Sequence, residues 1–443
     1  MEKEKLGGTC LHKGCIPSKA LLRSAEVYRT AREADQFGVE TAGVSLNFEK
    51  VQQRKQAVVD KLAAGVNHLM KKGKIDVYIR IWTYSWTVNL LSAASGTISV
   101  ERGNGEENDM LIPKQVIIAT GSRPRMLPGL EADGKSVLTS DEALQMEELP
   151  QSIIIVGGGV IGIEWASMLH DFGVKVTVIE YADRILPTED LEISKEMESL
   201  LKKKGIQFIT GAKVLPDTMT KTSDDISIQA EKDGETVTYS AEKMLVSIGR
   251  QANIEGIGLE NTDIVTENGM ISVNESCQTK ESHIYAIGDV IGGLQLAHVA
   301  SHEGIIAVEH FAGLNPHPLD PTLVPKCIYS SPEAASVGLT EDEAKAKGHN
   351  VKIGKFPFMA IGKALVYGES DGFVKIVADR DTDDILGVHM IGPHVTDLIS
   401  EAGLAKVLDA TPWEVGQTIH PHPTLSEAIG EAALAADGKA IHF

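Results

Sequence analysis

The chain of 443 residues exceeds the ~100 to 200 residues of a typical domain, so several domains and a core that needs no staples are expected. Hydrophobic residues at 42%, charged residues at 23% and 42 glycines exclude a disordered, collagen-like or disulfide-scaffold chain. Acidic residues outnumber basic ones by 62 to 42, a formal charge of −20, which argues against general nucleic-acid binding and leaves room for a basic protein partner.

The start, Met1-Glu2-Lys3-Glu4-Lys5, lacks the apolar stretch of a signal peptide, and no run of about 18 apolar residues follows. A cytoplasmic, reducing location without membrane spanning is therefore expected, and four cysteines are too few for a secreted framework. Gly7-Gly8-Thr9-Cys10-Leu11-His12-Lys13-Gly14-Cys15-Ile16-Pro17-Ser18-Lys19 places two thiols five positions apart at the start of a helix, where the N-terminus favours a thiolate. Three uses remain open for them: a cycling dithiol, half of a metal site, or two inert cysteines. The metal use lacks a second cysteine pair to complete it.

Helical spacing runs from about Pro17 to Glu33 and from about Phe48 to Lys72. Ile79 to Ser95 is unlike its surroundings, holding two of the four tryptophans and no Gly, Pro, Asp or Glu. Strands are expected at Gln115 to Ala119, Ser152 to Val156 and Val174 to Ile179, with a helix from Val160 to Phe172 completing a βαβ unit. A polar, β-rich stretch follows to about Met244, then strands Leu245 to Ile248 and Ile284 to Ile287. Four prolines between Leu314 and Pro325 mark a linker. Beyond it, strands Phe373 to Ala378 and Ile385 to Met390 and a helix from Thr396 to Leu408 read as α+β.

Within the βαβ unit, Gly157-Gly158-Gly159-Val160-Ile161-Gly162 joins strand to helix, and Glu180 closes the next strand. Glycines there permit a tight turn and close backbone approach to a pyrophosphate at the helix N-terminus, while Glu180 would take ribose hydroxyls and repel a 2′-phosphate. NAD is thus favoured over NADP, against the alternative of a purely structural turn. Near the C-terminus, His420-Pro421-His422-Pro423-Thr424-Leu425-Ser426-Glu427 can form a base oriented by a carboxylate, or simply surface histidines near a helix cap.

Together with Ala119-Thr120-Gly121-Ser122-Arg123-Pro124, Ile248-Gly249-Arg250 and Ala286-Ile287-Gly288-Asp289-Val290, these motifs resemble the FAD-dependent pyridine-nucleotide disulfide oxidoreductases over nearly the whole chain. The closest branch oxidises protein-bound dihydrolipoyl groups with NAD+ as the E3 component of 2-oxo acid dehydrogenase complexes. The resemblance implies an α/β fold: an FAD domain (1–119), an inserted Rossmann-like NAD domain (120–249), a central segment completing the FAD site (250–319) and a C-terminal α+β dimerisation domain (320–443).

By the same resemblance, Cys10 is the interchange thiol and Cys15 the thiol beside the flavin. Glu2, Lys19, Thr120, Gly121, Ser122, Asp289 and Ala297 would serve FAD, with Lys19 paired to Glu164 at the flavin side. Gly157, Gly158, Gly159, Val160, Ile161, Gly162, Glu180, Gly249 and Arg250 would serve NAD. His422 would be the base and Glu427 its partner, both supplied by the other subunit of a homodimer, with His420 a neighbour. The implied partner is the lipoylated acyltransferase (E2) core. Two departures accompany the resemblance: about one βα unit is expected before Glu2, and 79–95 reads as a compensated frame slip. An apo dimerising and docking module, or another flavoprotein disulfide reductase, is the alternative.

Overall fold

The computed structural model describes residues 1–78, 88–91, 97–100 and 109–442, in two compact units. The first comprises Met1–Ala20, Gln52–Arg125 and Gly249–Leu319. In it, Ile284–Ala286 pairs in parallel with Val116–Ile118, and Arg250–Ala252 runs antiparallel to Ser122–Pro124. Ile118, Ala252, Ile271, Ile284, Ala286 and Val290 pack as its core. The helix Ala297–Phe311 adds Val299, Ile306 and Ala307 on one buried stripe. Of the unusual stretch 79–95, only Val88–Leu91 is described, as a strand antiparallel to Thr97–Val100, and the rest lies outside the described residues.

The second unit comprises Leu21–Val51, Met126–Ile248 and Asp320–Phe443. Its first layer is a parallel sheet in the order Val137–Leu138, Lys243–Val246, Ser152–Val156, Lys175–Ile179, Gln207–Ile209. The central strand is Ser-Ile-Ile-Ile-Val, apolar on both faces, as a strand covered on both sides must be. The crossover helices are Val160–Asp171 and Leu191–Lys204. Asp190 caps the second by accepting from the Glu192 N–H at 3.0 Å, and three lysines occupy its last turn, where cations suit the helix dipole. A three-stranded antiparallel meander, Lys213–Lys221, Ile226–Lys232 and Glu235–Ala241, accounts for the polar β-rich stretch.

The remaining sheet of this unit is antiparallel, in the order Lys326–Ile328, Glu333–Gly338, Ile385–Gly392, Phe373–Asp379, Val351–Pro357. Helices Val395–Val407, Pro412–Gln417 and Glu427–Ala435 pack with it around Val374, Ile376, Met390, Ile399 and Ile429. One ion cluster lies deep here. Lys375, only 1% exposed, reaches Asp190 at 3.1 Å, Glu192 at 2.8 Å and Glu341 at 2.7 Å. Burial works to raise the Asp190 carboxyl, but His389 and Lys375 outweigh it and hold the group below its ordinary value.

Two stretches fall in a different unit from the one that motif order implies. Residues 120–125 go with the first unit because Ser122–Pro124 pairs with Arg250–Ala252. Residues 21–51 go with the second because Leu21 and Ala25 join the core of Leu138, Ile155 and Leu169. The expected strand 245–248 forms two residues earlier, as Lys243–Val246, because its register against Ile153–Val156 runs out at Val246 opposite Val156.

Candidate functional site

The two thiols sit where a short helix, Gly8–His12, gives way to the long helix Cys15–Arg32. Both are thiols rather than halves of a disulfide, and both are half-buried. Ser18 N–H and Oγ–H bond to the Gly14 carbonyl at 3.1 and 2.7 Å, which fixes the first turn of the helix that opens on Cys15. The hydrogen bond to Cys15, then burial, push the Cys10 thiol far above its ordinary range, while the Lys19 ammonium pulls the other way. Cys15 is the first residue of its helix, where the N-terminal dipole favours a thiolate. Among the described residues, no group of three or more His, Cys, Asp and Glu is placed to hold a metal ion.

Also in the first unit, Ser122 Oγ–H donates to Asp289, and Arg250 donates to Ser122 Oγ at 2.6 Å and to the Ser122 carbonyl at 2.9 Å. Arg250 lies 3.6 Å from Asp289. Thr120 Oγ–H bonds to the Asn253 carbonyl at 2.7 Å, and Asn253 Nδ2 returns a bond to the Thr120 carbonyl at 3.0 Å. Arg250, expected with the NAD residues, is thus hydrogen-bonded to Ser122, expected to serve FAD, while the Gly249 carbonyl accepts the Arg125 N–H at 3.0 Å. Asn253 is an addition to the set, and no local pattern marks it. Asp289 lies in a short 3-10 turn, Gly288–Ile291, held by Glu303, which accepts the Gly288 N–H at 2.7 Å. Ala297 is the first residue of the helix Ala297–Phe311. Glu2 stands apart from this group: its N–H bonds to the Tyr78 carbonyl at 3.0 Å and its carboxylate accepts the Glu4 N–H at 2.9 Å. A flavin dinucleotide suits the donor set here. Gly121, between Thr120 and Ser122, is left-handed (φ 67°), and a Cβ on it would meet no atom within 4 Å, so open space lies beside the backbone at this turn.

In the second unit, the glycine turn follows the strand Ser152–Val156. A Cβ on Gly157 would lie 2.4 Å from the Ser247 carbonyl oxygen, and one on Gly162 would lie 2.0 Å from the Gly157 oxygen, so both positions require glycine. At Gly159, a Cβ would meet nothing within 4 Å, leaving space for a pyrophosphate at the N-terminus of the helix Val160–Asp171. Glu180 turns back onto this turn: its carboxylate accepts N–H bonds from Gly158 and, at 2.6 Å, from Ala182. Open space before the helix and an acid anchored beside it fit a dinucleotide. Glu164, on the same helix, accepts the Tyr329 N–H at 3.0 Å. Lys19 belongs to the first unit and Glu164 to the second.

His422 Nδ1–H donates to Glu427 Oε1 at 2.9 Å, and Thr424 N–H donates to Glu427 Oε2 at 2.9 Å. Burial tends to raise the Glu427 carboxyl, yet the Thr424 N–H and the His422 ring together hold it below its ordinary value. With Nδ1 engaged, Nε2 is left as the proton acceptor of a ring whose side chain is 77% exposed. His420 points elsewhere: its Nε2–H donates to Glu401 at 2.7 Å, and that bond raises its pKa.

Two family patterns match the chain. The pyridine nucleotide-disulphide oxidoreductase pattern covers residues 2–304, and the dimerisation domain of the same family covers residues 324–433. The chain is 96% identical to a dihydrolipoyl dehydrogenase of Bacillus subtilis over all of this chain and 93% of that protein. It is 42% identical to the dihydrolipoyl dehydrogenase of Zymomonas mobilis, again over all of this chain and 93% of that protein. Among solved structures, LpdA from Mycobacterium tuberculosis superposes with a TM-score of 0.87 at 27% identity, over 98% of this chain and 92% of the other. The copper(II) complex of the HOCl-induced flavoprotein disulfide reductase RclA from Escherichia coli gives a TM-score of 0.82 at 26% identity, over 97% and 91% of the two chains.

Proposed function

The chain belongs to the pyridine nucleotide-disulphide oxidoreductase family, and from that premise we propose that it oxidises protein-bound dihydrolipoyl groups to lipoyl with NAD+ as acceptor, as an FAD-containing homodimer. The observation that carries the reading is the thiol pair at the start of the helix Cys15–Arg32, with Cys15 at the helix N-terminus.

In the oxidised enzyme the two cysteines form a disulfide. His422 Nε2 takes the proton of one substrate thiol, and the resulting thiolate attacks Cys10 Sγ. A substrate–Cys10 disulfide forms, the Cys10–Cys15 bond breaks, and Cys15 leaves as a thiolate stabilised by the helix N-terminus. The second substrate thiol then attacks the substrate sulfur of the mixed disulfide, closing lipoyl and releasing Cys10, which takes up the proton. Two electrons have passed from substrate to the cysteine pair. Bound FAD and NAD+ together supply the two-electron path from those cysteines to NADH.

Thr120, Gly121, Ser122 and Asp289 hold the flavin nucleotide in this scheme, with Arg250 fixing Ser122 and the Asp289 side of the site. Gly157, Gly159 and Gly162 let the backbone approach the NAD pyrophosphate, and Glu180 exchanges an N–H partner for the ribose hydroxyls. The base serves the dithiol of the partner subunit, in keeping with its exposure in the single chain. The partner of the dimer is a lipoylated E2 core, whose basic docking segment suits a chain of formal charge −20.

The test is NAD+-dependent oxidation of dihydrolipoamide by the FAD-loaded dimer. Turnover is expected for the native chain and abolished by Cys15→Ser. Turnover retained by Cys15→Ser refutes the role given to that thiol.

A further inference from the structure

The helix Glu427–Ala435 presents three positions at i, i+3 and i+4 spacing, Glu427, Gly430 and Glu431, which fall on one face. Each meets a different histidine. Glu427 holds His422 at 2.9 Å. Gly430 is where the His420 ring lies against the helix: a Cβ there would be 2.7 Å from His420 Nδ1. Glu431, buried, accepts His442 Nδ1–H at 2.6 Å and the Ile441 N–H at 2.8 Å, pinning the C-terminal tail.

The His420 ring is also held from its other side. Its side chain is 9% exposed and its Nε2–H is spent on Glu401 of the helix Val395–Val407 at 2.7 Å. The segment carrying the base, 420–424, is therefore clamped at its first residue between two helices, while its third residue reaches solvent. A glycine inside a helix weakens it through backbone entropy and serves here only by making room. That room is used by His420, two residues before the base.

Resting on the reading of His422 as the base, we propose that Glu401–His420, seated on Gly430, and Glu431–His442 are positioning pairs that hold the His422–Glu427 couple in register on one helix face. Neither pair touches substrate. Electrostatic coupling points the same way: Glu427 acts on His420, and the His442 ring acts on Glu427, alongside the stronger bonds from Thr424 and His422. Among the described residues, His420 and His442 are thus coupled to Glu427, and Glu401 and Glu431 are the carboxylates bonded to them.

The experiment compares Gly430→Ala and Glu401→Gln with the native FAD-loaded dimer in two assays. The first is dihydrolipoamide oxidation with NAD+ across a pH series, which needs the base. The second is NADH oxidation by ferricyanide, which needs no thiol proton. Both variants are expected to lower dihydrolipoamide kcat on the order of 10-fold and to move the pH profile, with the ferricyanide rate unchanged. Glu431→Gln, which loosens the tail, is expected to act in the same direction with a smaller effect. Equal rates in the first assay overturn the proposal, and so does a parallel loss in both assays, which marks mere destabilisation. His422→Gln runs beside them: if it keeps native dihydrolipoamide turnover, the base assignment itself fails, a result distinct from failure of the positioning pairs.

Discussion

Gly159→Ala separates a nucleotide-binding turn from a merely structural one. The residue adopts φ −75° and ψ −174°, extended backbone that alanine takes without strain. An added Cβ would meet no protein atom within 4 Å. Replacing glycine at such a compatible site removes freedom from the unfolded chain and should stabilise the protein by about 0.4 to 1 kcal/mol. In the bound state the same methyl occupies the space through which the backbone approaches the pyrophosphate, so helix N-terminus contacts are lost. A loss of about 10- to 100-fold in NAD+ affinity corresponds to roughly 1.4 to 2.7 kcal/mol. Calorimetric titration with NAD+ and a thermal melt of the same preparation read the two effects separately. A raised or unchanged Tm with weakened NAD+ binding is expected. Native NAD+ affinity in a well-folded Gly159→Ala variant refutes the assignment. Gly162→Ala is the contrasting case, since its Cβ would lie 2.0 Å from the Gly157 oxygen and should lower Tm as well.

His422→Gln should reduce dihydrolipoamide oxidation by roughly 10²- to 10⁴-fold, the usual worth of a positioned general base, and steady-state rates near native would contradict it. Lys375→Met leaves Asp190, 2% exposed, without its cation and should destabilise by about 3 to 5 kcal/mol in urea unfolding; a change within about 1 kcal/mol would show that the cluster is solvated. Glu401 raises the His420 pKa, so the pair's stabilisation is complete below the unfolded value of about 6.5 and fades as pH rises through the folded value. The Tm advantage of the native chain over Glu401→Gln should therefore be larger at about pH 6 than at about pH 9, and the opposite order would refute the sign.

Local signals carried the sequence as far as local physics reaches. The helix Phe48–Lys72 and the strand Ser152–Val156 fall on the residues that periodicity selects, because the first half-buries one helical stripe and the second is apolar on both faces. The His422–Glu427 spacing lies within one loop and one helix start, and the 2.9 Å bond follows from it. Tertiary partners were not legible. Arg250 meets Ser122 across 128 positions, a contact that the Ile-Gly-Arg motif does not encode. Glu401 meets His420 across 19 positions, so His420 looked like a bystander. Lys375 meets Asp190 across 185 positions, and a lysine inside an otherwise apolar strand offers no hint of its partners.

That lysine also sets a rule for recombining this chain with its relatives. Its cation comes from the strand Phe373–Asp379, whereas Asp190 and Glu192 stand at the start of the second crossover helix, Leu191–Lys204, of the parallel sheet. Exchanging the nucleotide-binding segment for one with another cofactor preference would import a different helix start and leave the buried ammonium with Glu341 alone of its three carboxylates. A chimera that carries both carboxylates across, or replaces the lysine with an apolar residue in the same step, keeps the charges matched. The compatibility of a grafted half is then decided by three side chains that lie outside the glycine turn.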